Sequence, residues 1–291
     1  MNRPHRILML GMRSIVVGDI AIQALTDGRG QLPASFFPGL KDDRTIPVVT
    51  GAFLVRAGGH TILVDAGFGP RPAGSPHLPQ HAKEQRHLAV AGPAGEPEAS
   101  GGLPAALADA GVSPEDVDLV VLTHLHADHV GWVAPHGEPY FPNAEVRYGT
   151  PDWAAFIDSA GRHARARVAL EAVRAKGKLR GLVDGEAVAP GLTARHAPGH
   201  TPGHYVLEVA DQGHRAVLLG DVFQIPAQLA DPAIGSASDH DRRQAELTRR
   251  RWLREIAGTG TIVAAVHFPD EPFFRIAADR TVEPISAVAA S

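Results

Sequence analysis

Within one short stretch, Thr123-His124-Leu125-His126-Ala127-Asp128-His129, the chain carries three imidazoles and a carboxylate. Nitrogen and oxygen donors at that density form a metal-ligand inventory suited to zinc or a similar divalent cation. Histidines two apart cannot share a helix face, because about 100° of rotation per residue sets them about 200° apart. His124 and His126 converge only where the chain is extended or looped. The preceding run, Val117-Asp118-Leu119-Val120-Val121-Leu122, is rich in β-branched and aliphatic residues. It predicts a buried strand ending just before the pair. Asp128 and His129 then fall where the backbone turns into the next element. Scattered, solvated histidines at a polar strand end are the bland alternative, and partners further along the chain would argue against it.

Such partners are present. His124-x-His126-x-Asp128-His129 resembles the HxHxDH signature of the metallo-β-lactamase fold hydrolases. The rest of that family's pattern has counterparts here in order: His200 in Ala197-Pro198-Gly199-His200-Thr201-Pro202-Gly203-His204, Asp221 in Leu219-Gly220-Asp221, and His267 in Val266-His267-Phe268-Pro269. Asp65 in Leu63-Val64-Asp65-Ala66-Gly67 is similar to the family's early motif. The resemblance implies an α/β fold, a four-layer αβ/βα sandwich of two mixed β-sheets flanked by helices, as a single domain over residues 1–291.

It also implies a ligand set. His124, His126 and His200 would hold one metal ion, Asp128, His129 and His267 a second, and Asp221 would bridge the two. Two Zn2+ per chain are the implied cofactors, with Mn, Co or Fe as substitutes. Cations ~3.5–4 Å apart repel, and a shared carboxylate plus a shared hydroxide offsets the repulsion. That hydroxide would attack an ester or lactone carbonyl, with Asp128 best placed to pass a proton to the leaving group. Asp65 and His204 would orient ligand imidazoles from behind.

Composition permits this reading and excludes others. Hydrophobic residues make up 44% of the 291, enough for a substantial core. The net charge of -4, from 28 basic and 32 acidic side chains, gives no sign of a nucleic-acid or anionic-membrane partner. There is no cysteine, so disulfides, thiolate metal sites and a cysteine nucleophile are excluded. The apolar patch Ile7-Leu8-Met9-Leu10 is interrupted by Gly11 and Arg13, and no apolar run reaches membrane-spanning length. A soluble, cytoplasmic protein is expected.

The elements that must position the ligands alternate. Strands are expected at 18–25, at 52–56 and 61–65 around the Gly58-Gly59 turn, at 143–148, and at 205–209 and 215–219 around Asp211-Gln212-Gly213. Two short strands are expected around Pro190-Gly191, and a last buried strand at 261–266 delivers His267. Helices are expected over 102–110, 151–157 and 163–175, and over 239–257 with an aspartate at its start. Arg162, Arg165, Arg167 and Arg174 are read as the wet face of the third. Loop excursions are expected at about 26–44, 68–102 and 224–239, where substrate specificity would reside. Phe36 and Phe37 look exposed, and with Phe68 and Gln224 they are the candidate substrate contacts. His77, His81 and His87 have no spacing that converges on the ligands and read as solvated. Phe/Pro-rich loops could pack across a homodimer.

Departures within the superfamily narrow the chemistry. His126 stands where flavin-coupled diiron reductases have a glutamate, and no flavodoxin-like domain follows. An aspartate at 221 is a feature of the lactonase, thioesterase and phosphoesterase-like branches. THLHADHVGW over 123–132, Phe141-Pro142-Asn143-Ala144 and Gly220-Asp221-Val222 are most similar to the N-acyl-homoserine lactone lactonases and the related organophosphate hydrolases. Gln224 is a departure, since the lactonase branch places a tyrosine there. The primary expectation is a dinuclear zinc hydrolase acting on a small-molecule lactone or ester, a quorum-quenching lactonase. A glyoxalase II-like thioesterase or a phosphotriesterase could use the same site. A single-iron persulfide dioxygenase-like oxidoreductase is the alternative of another class, and a binding module that lost turnover is a third.

Overall fold

The structure, a computed structural model, describes residues 14–70, 101–158 and 164–285. Among them, fourteen strands form two mixed seven-stranded sheets, each contiguous in the sequence. The first runs β1 (Ser14–Val17), β2 (Ile20–Pro33), β3 (Thr45–Ala57), β4 (His60–Val64), β5 (Leu119–Val121), β6 (Glu145–Tyr148) and β7 (Leu179–Gly181). Its first four strands pair antiparallel and the rest join in parallel. The second runs from β8 (Ala187–Ala189) through β9 (Leu192–His196), β10 (Tyr205–Asp211), β11 (His214–Leu218), β12 (Ile262–Ala264) and β13 (Phe273–Ile276) to β14 (Val282–Pro284). Its one parallel pair among the described residues is β11 with β12, and α4 (Ala227–Ala230) and α5 (Arg242–Ile256) lie in the connection between them.

The layers follow from the two-residue period of the strands. In β4, Ile62 and Val64 face the space between the sheets, where they meet Leu207, Leu218 and Phe273, while Leu63 faces outward. Outward residues of the first sheet pack on α1 (Leu103–Asp109) and α3 (Ala164–Ala175) through Leu107, Leu170 and Val173. Outward residues of the second sheet, Val206, Val217, Val263 and Phe274, pack on Trp252, Leu253 and Ile256 of α5. Two sheets with helices on both outer faces are the expected four-layer sandwich. No helix among the described residues is long and apolar enough to cross a membrane.

The expected loop at 26–44 is corrected. β2 continues to Pro33 and pairs with β3 as far as Thr45, so a long antiparallel arm replaces most of that loop. The glycines and prolines that suggested a loop are absorbed by a β-bulge between Thr26 and Gly28 and by Pro33 at the strand end. Phe36 and Phe37 are buried, not exposed; they meet edge-to-face and pack with Leu32, Val48, Ile225 and Ile234. The wet-face reading of α3 is also corrected at Arg165, which is half-buried, stacks over the Phe68 ring and donates to the Phe68 carbonyl. The expected histidines 77, 81 and 87, Arg162 and most of the 68–102 excursion lie outside the described residues.

The bulge has a purpose in packing. Asp27, the extra residue, is buried, and its carboxylate accepts from Phe68 N (2.7 Å), Gly69 N (3.2 Å), Gly101 N (3.2 Å), Leu103 N (3.0 Å) and Trp132 Nε1 (2.8 Å). It pins the chain on both sides of residues 71–100 to β2. Asp27→Asn would place an N–H among five donors, leaving buried donors unmatched at about 3 kcal/mol. The expected result in thermal unfolding is a Tm lower by roughly 6–12 °C; a Tm at the wild-type value would remove Asp27 as the pin.

Candidate metal centre

Strand ends deliver the donors. β5 stops at Val121, and the chain runs on as an irregular loop to His126, which has β-region backbone angles. One helical turn, α2 (Ala127–Val130), then carries Asp128 and His129. Gly131 must follow, since a Cβ there would stand 2.0 Å from the Phe68 carbonyl carbon. β11 ends at Leu218, and Gly220 adopts a left-handed φ of 50° to bring Asp221 over the site. β12 ends three residues before His267, and His200 comes from the loop between β9 and β10.

These seven residues, separated by up to 143 positions (267 minus 124), converge in two groups: His124, His126, His200 and Asp221, and Asp128, His129 and His267, with the candidate ligand atoms of each group within 4.8 Å of one another. Asp221 faces both. Its Oδ2 lies 3.2 Å from His200 Nε2 and 3.9 Å from His124 Nε2, its Oδ1 3.0 Å from His267 Nε2 and 3.3 Å from His129 Nε2. Asp128 Oδ2 is 3.7 Å from both His129 Nε2 and His267 Nε2.

The donors fit cations on their own chemistry. His126 Nδ1 is 2.9 Å from His124 Nε2 and 2.9 Å from His200 Nε2. A single proton can bridge one such pair, which leaves the third nitrogen in conflict. His129 Nε2 and Asp221 Oδ1 are buried with no hydrogen-bond partner, and each such orphan costs about 1–3 kcal/mol. A divalent cation in each group would satisfy all of these atoms at once.

The candidate ligand imidazoles are held from behind, through the other nitrogen or through the ring. Asp65, in the left-handed region at φ 64°, accepts from Thr123 N (2.8 Å) and Thr123 Oγ1, and its Oδ2 pairs with His129 Nδ1 at 2.9 Å. Asp tolerates that conformation better than most residues. Thr123 Oγ1 also lies 3.1 Å from His124 Nδ1. Asp239 Oδ1 holds His200 Nδ1 at 3.0 Å, and the Val49 carbonyl holds His267 Nδ1 at 2.7 Å. Such partners set the tautomer and aim of a metal-ligating ring. His126 packs edge-on against Phe156.

His204 acts differently. Burial and the neighbouring His200 push its imidazole down to about 3, so it is neutral, and its Nε2 accepts from Asp221 N at 3.0 Å. It steadies the Asp221 backbone and touches no other ligand ring by hydrogen bond. His196 bonds the Pro202 carbonyl and stands outside the cluster. Burial would raise the Asp221 carboxyl, yet His267, His129, His124 and His200 around it hold it well below the usual range.

Three aspartates with buried carboxylates and working roles had no motif to announce them. Asp239 was expected to begin the long helix; instead Asp241 caps α5 by accepting from Gln244 N, and Asp239 turns back to His200 and Arg249. Asp152 joins the two ligand loops, accepting from Leu125 N (3.3 Å), Thr201 Oγ1 (2.9 Å) and Gly203 N (2.5 Å). Asp27 is the third. Each sits where a solvated turn or cap was the ordinary expectation, and only the partner's position reveals its use.

A cleft enclosing about 390 Å³ of non-atom space, part of it open to solvent, leads to the second group. Leu32, Phe36, Val48, Thr50 and Phe68 form its walls, and Asp128, Gln224 and His267 its floor. Of the candidate substrate contacts, Phe36, Phe68 and Gln224 line it; Phe37 packs behind Phe36.

Comparison with known proteins agrees with this geometry. A 110-residue segment is 29% identical to an N-acyl homoserine lactonase of Bacillus sp, covering 38% of this chain and 39% of that protein. A 107-residue segment is 31% identical to an N-acyl homoserine lactonase of Agrobacterium fabrum (strain C58 / ATCC 33970), covering 37% of each. The matches thus span well under half the length of these relatives. Among solved structures, the hydrolase AbOPH of the beta lactamase superfamily superposes with a TM-score of 0.78 at 23% identity over 97% of this chain and 99% of its own. AidC, a dizinc quorum-quenching lactonase in complex with a product, gives 0.78 at 20% identity over the same shares. At these identities the likeness is one of fold. Residues 46–267, from β3 to the last of the seven converging donors, match the Metallo-beta-lactamase superfamily, and the chain belongs to it.

Proposed function

We propose that this metallo-hydrolase opens the ring of a lactone bearing an acyl chain, an acyl-homoserine lactone in the first instance, at a two-zinc centre. The observation that carries the reading is the cleft: an apolar wall of Leu32, Phe36, Val48 and Phe68 that ends on Asp128 and His267. The lactonase relatives support it. Seven converging donors in two groups suit two ions better than the single iron of a persulfide oxygenase.

His124, His126, His200 and Asp221 would hold one cation, Asp128, His129 and His267 the other, with Asp221 facing both. Bound there, divalent cations supply Lewis acidity and lower the pKa of water toward neutrality. The chain's own residues do the rest. The apolar wall takes the acyl chain and keeps bulk water from the floor. Asp128 Oδ2, at the cleft floor, is positioned to take a proton and return it to the departing alkoxide. Asp65, Asp239 and the Val49 carbonyl keep the rings aimed.

A pH-stat assay of the zinc-loaded protein tests this with acyl-homoserine lactones of increasing chain length, thioesters and phosphotriesters. Each methylene buried contributes about 0.8 kcal/mol, so KM should fall roughly three- to fourfold per added CH2 until the wall is covered. No lactone turnover above the metal-stripped control would sink the proposal, and preferential turnover of another arm would reassign the substrate.

A further inference from the structure

We infer that Gln224 is a positioning residue that locks the Asp221 carboxylate onto the first ligand group, taking over a position where the sequence resemblance places a tyrosine. Gln224 Nε2 donates to Asp221 Oδ2 at 2.6 Å. That oxygen is the one turned to His200 and His124, while Oδ1 is turned to His267 and His129. The amide therefore acts on one side of the carboxylate. Without it, the Asp221 Cβ–Cγ torsion is left to the donor groups around the two oxygens, while His204 still holds the backbone.

The amide is itself held rigidly. Gln224 N and Ile225 N donate to the Gln228 side-chain oxygen at 2.8 and 3.4 Å. Gln228, fully buried, returns its amide N–H groups to the Ile234 and Gly235 carbonyls at 3.2 and 3.5 Å. The same loop ends on Asp239, which holds His200 Nδ1, and Arg249 pairs with Asp239 at 3.3 Å. One loop thus reaches the first group twice, through Gln224 on the carboxylate and Asp239 on the imidazole.

The orientation of the amide is also fixed. An ionised carboxylate accepts and cannot donate, so the NH2 must face Asp221 and Oε1 must face away. Oε1 is buried without a hydrogen-bond partner, a burden that packing alone would not retain. An isosteric apolar side chain would fill the same space without that orphan. Keeping glutamine makes sense if the bond to Asp221 is what the site requires.

The inference rests on the assignment of Asp221 as a shared ligand, and its test does not depend on the substrate. Metal-stripped wild type and Gln224→Met are titrated with Zn2+ against a chromophoric chelator, with metal-free Tm measured beside them. Partners behind a ligand are worth about 10- to 100-fold in metal affinity. The expected result is a loss of tenfold or more at one of the two sites, less than threefold at the other, and a metal-free Tm close to wild type. Gln224→Asn, which keeps the amide but falls one methylene short, should lose the same affinity; it decides the matter if the Met variant does not fold. Unchanged affinities, or an equal loss at both sites, would overturn the assignment. A wild type that binds two Zn2+ yet turns over no lactone would sink the substrate proposal and leave this one standing.

Discussion

Asp221→Ala should strip the chain of bound divalent metal and of turnover together. Asp221 places one oxygen toward each group of histidines, so its removal takes a donor from both. It also leaves His129, His200 and His267 without the carboxylate that lies beside their inward nitrogens. Once cations enter, two positive centres would face each other with no shared anion between them. Charge stabilisation by a bound metal is worth several kcal/mol in the transition state, and each 1.36 kcal/mol is tenfold in rate. A fall in kcat/KM of at least about 10³ is expected, with fewer than two metal ions per chain after equilibration in micromolar zinc. Elemental analysis of the dialysed variant reads the first and a lactone or ester assay the second. Two retained ions with turnover near wild type would refute Asp221 as the shared ligand.

Asp152 should matter almost as much, although it touches no candidate ligand. Its carboxylate joins Leu125, which lies between His124 and His126, to Thr201 and Gly203, which follow His200. Asp152→Ala leaves three buried donors unmatched and uncouples the two loops. The expected cost is about 3–5 kcal/mol, a Tm lower by roughly 10–15 °C, and a 10- to 100-fold weaker first metal site.

The milder Asp152→Asn exposes a pH dependence. Burial pushes the Asp152 carboxyl up to about 6 in spite of its three donors, against 3.8 in an unfolded chain. Below pH 3.8 both states hold the proton and the group is neutral to stability. As pH rises, the unfolded chain ionises first, so the folded state loses stability until about pH 6 and the loss is constant above. Two pH units correspond to about 3 kcal/mol. In metal-free protein, the stability of wild type relative to Asp152→Asn should fall by about 2 kcal/mol of that between pH 4 and pH 6.5, measured by denaturant unfolding. A difference that does not change with pH would show that the three donors keep the carboxylate ionised throughout.

The sequence made the ligand end of this site readable because metal chemistry constrains residue type and spacing tightly. His124 and His126 could converge only where the chain is extended or looped, and they sit in the loop between β5 and α2. Apolar runs before Asp65, Asp221 and His267 announced strand ends, and each residue is found close after one. The supports were harder to see. Asp27, Asp152 and Asp239 are single aspartates beside glycine, proline or serine, where a turn or cap explains them without any tertiary contact. Asp27 took its role from a bulge that a two-residue period cannot predict. Phe36 and Phe37 looked exposed because a Gly/Pro-rich stretch hid a long antiparallel arm, whose partner strand lies across a turn from it. Packing against Leu32 and Val48 of that arm and against the distant Ile225 and Ile234 is what buries them, and such contacts are not written in local pattern.

The first sheet is finished by Gly181 and the second begins at Ala187, so the molecule is two consecutive halves pressed face to face. His124, His126, Asp128 and His129 belong to the earlier half, His200, Asp221 and His267 to the later, and each donor group draws on both. A cation in either group is therefore a rivet through the seam. At a hundredfold excess over its dissociation constant, each would tighten the joint by about 2.7 kcal/mol. With both groups empty, the halves would be fastened by hydrophobic contact and by hydrogen bonds such as those from Thr201 and Gly203 to Asp152, so the supply of a divalent cation would bear on the joint as well as on the site.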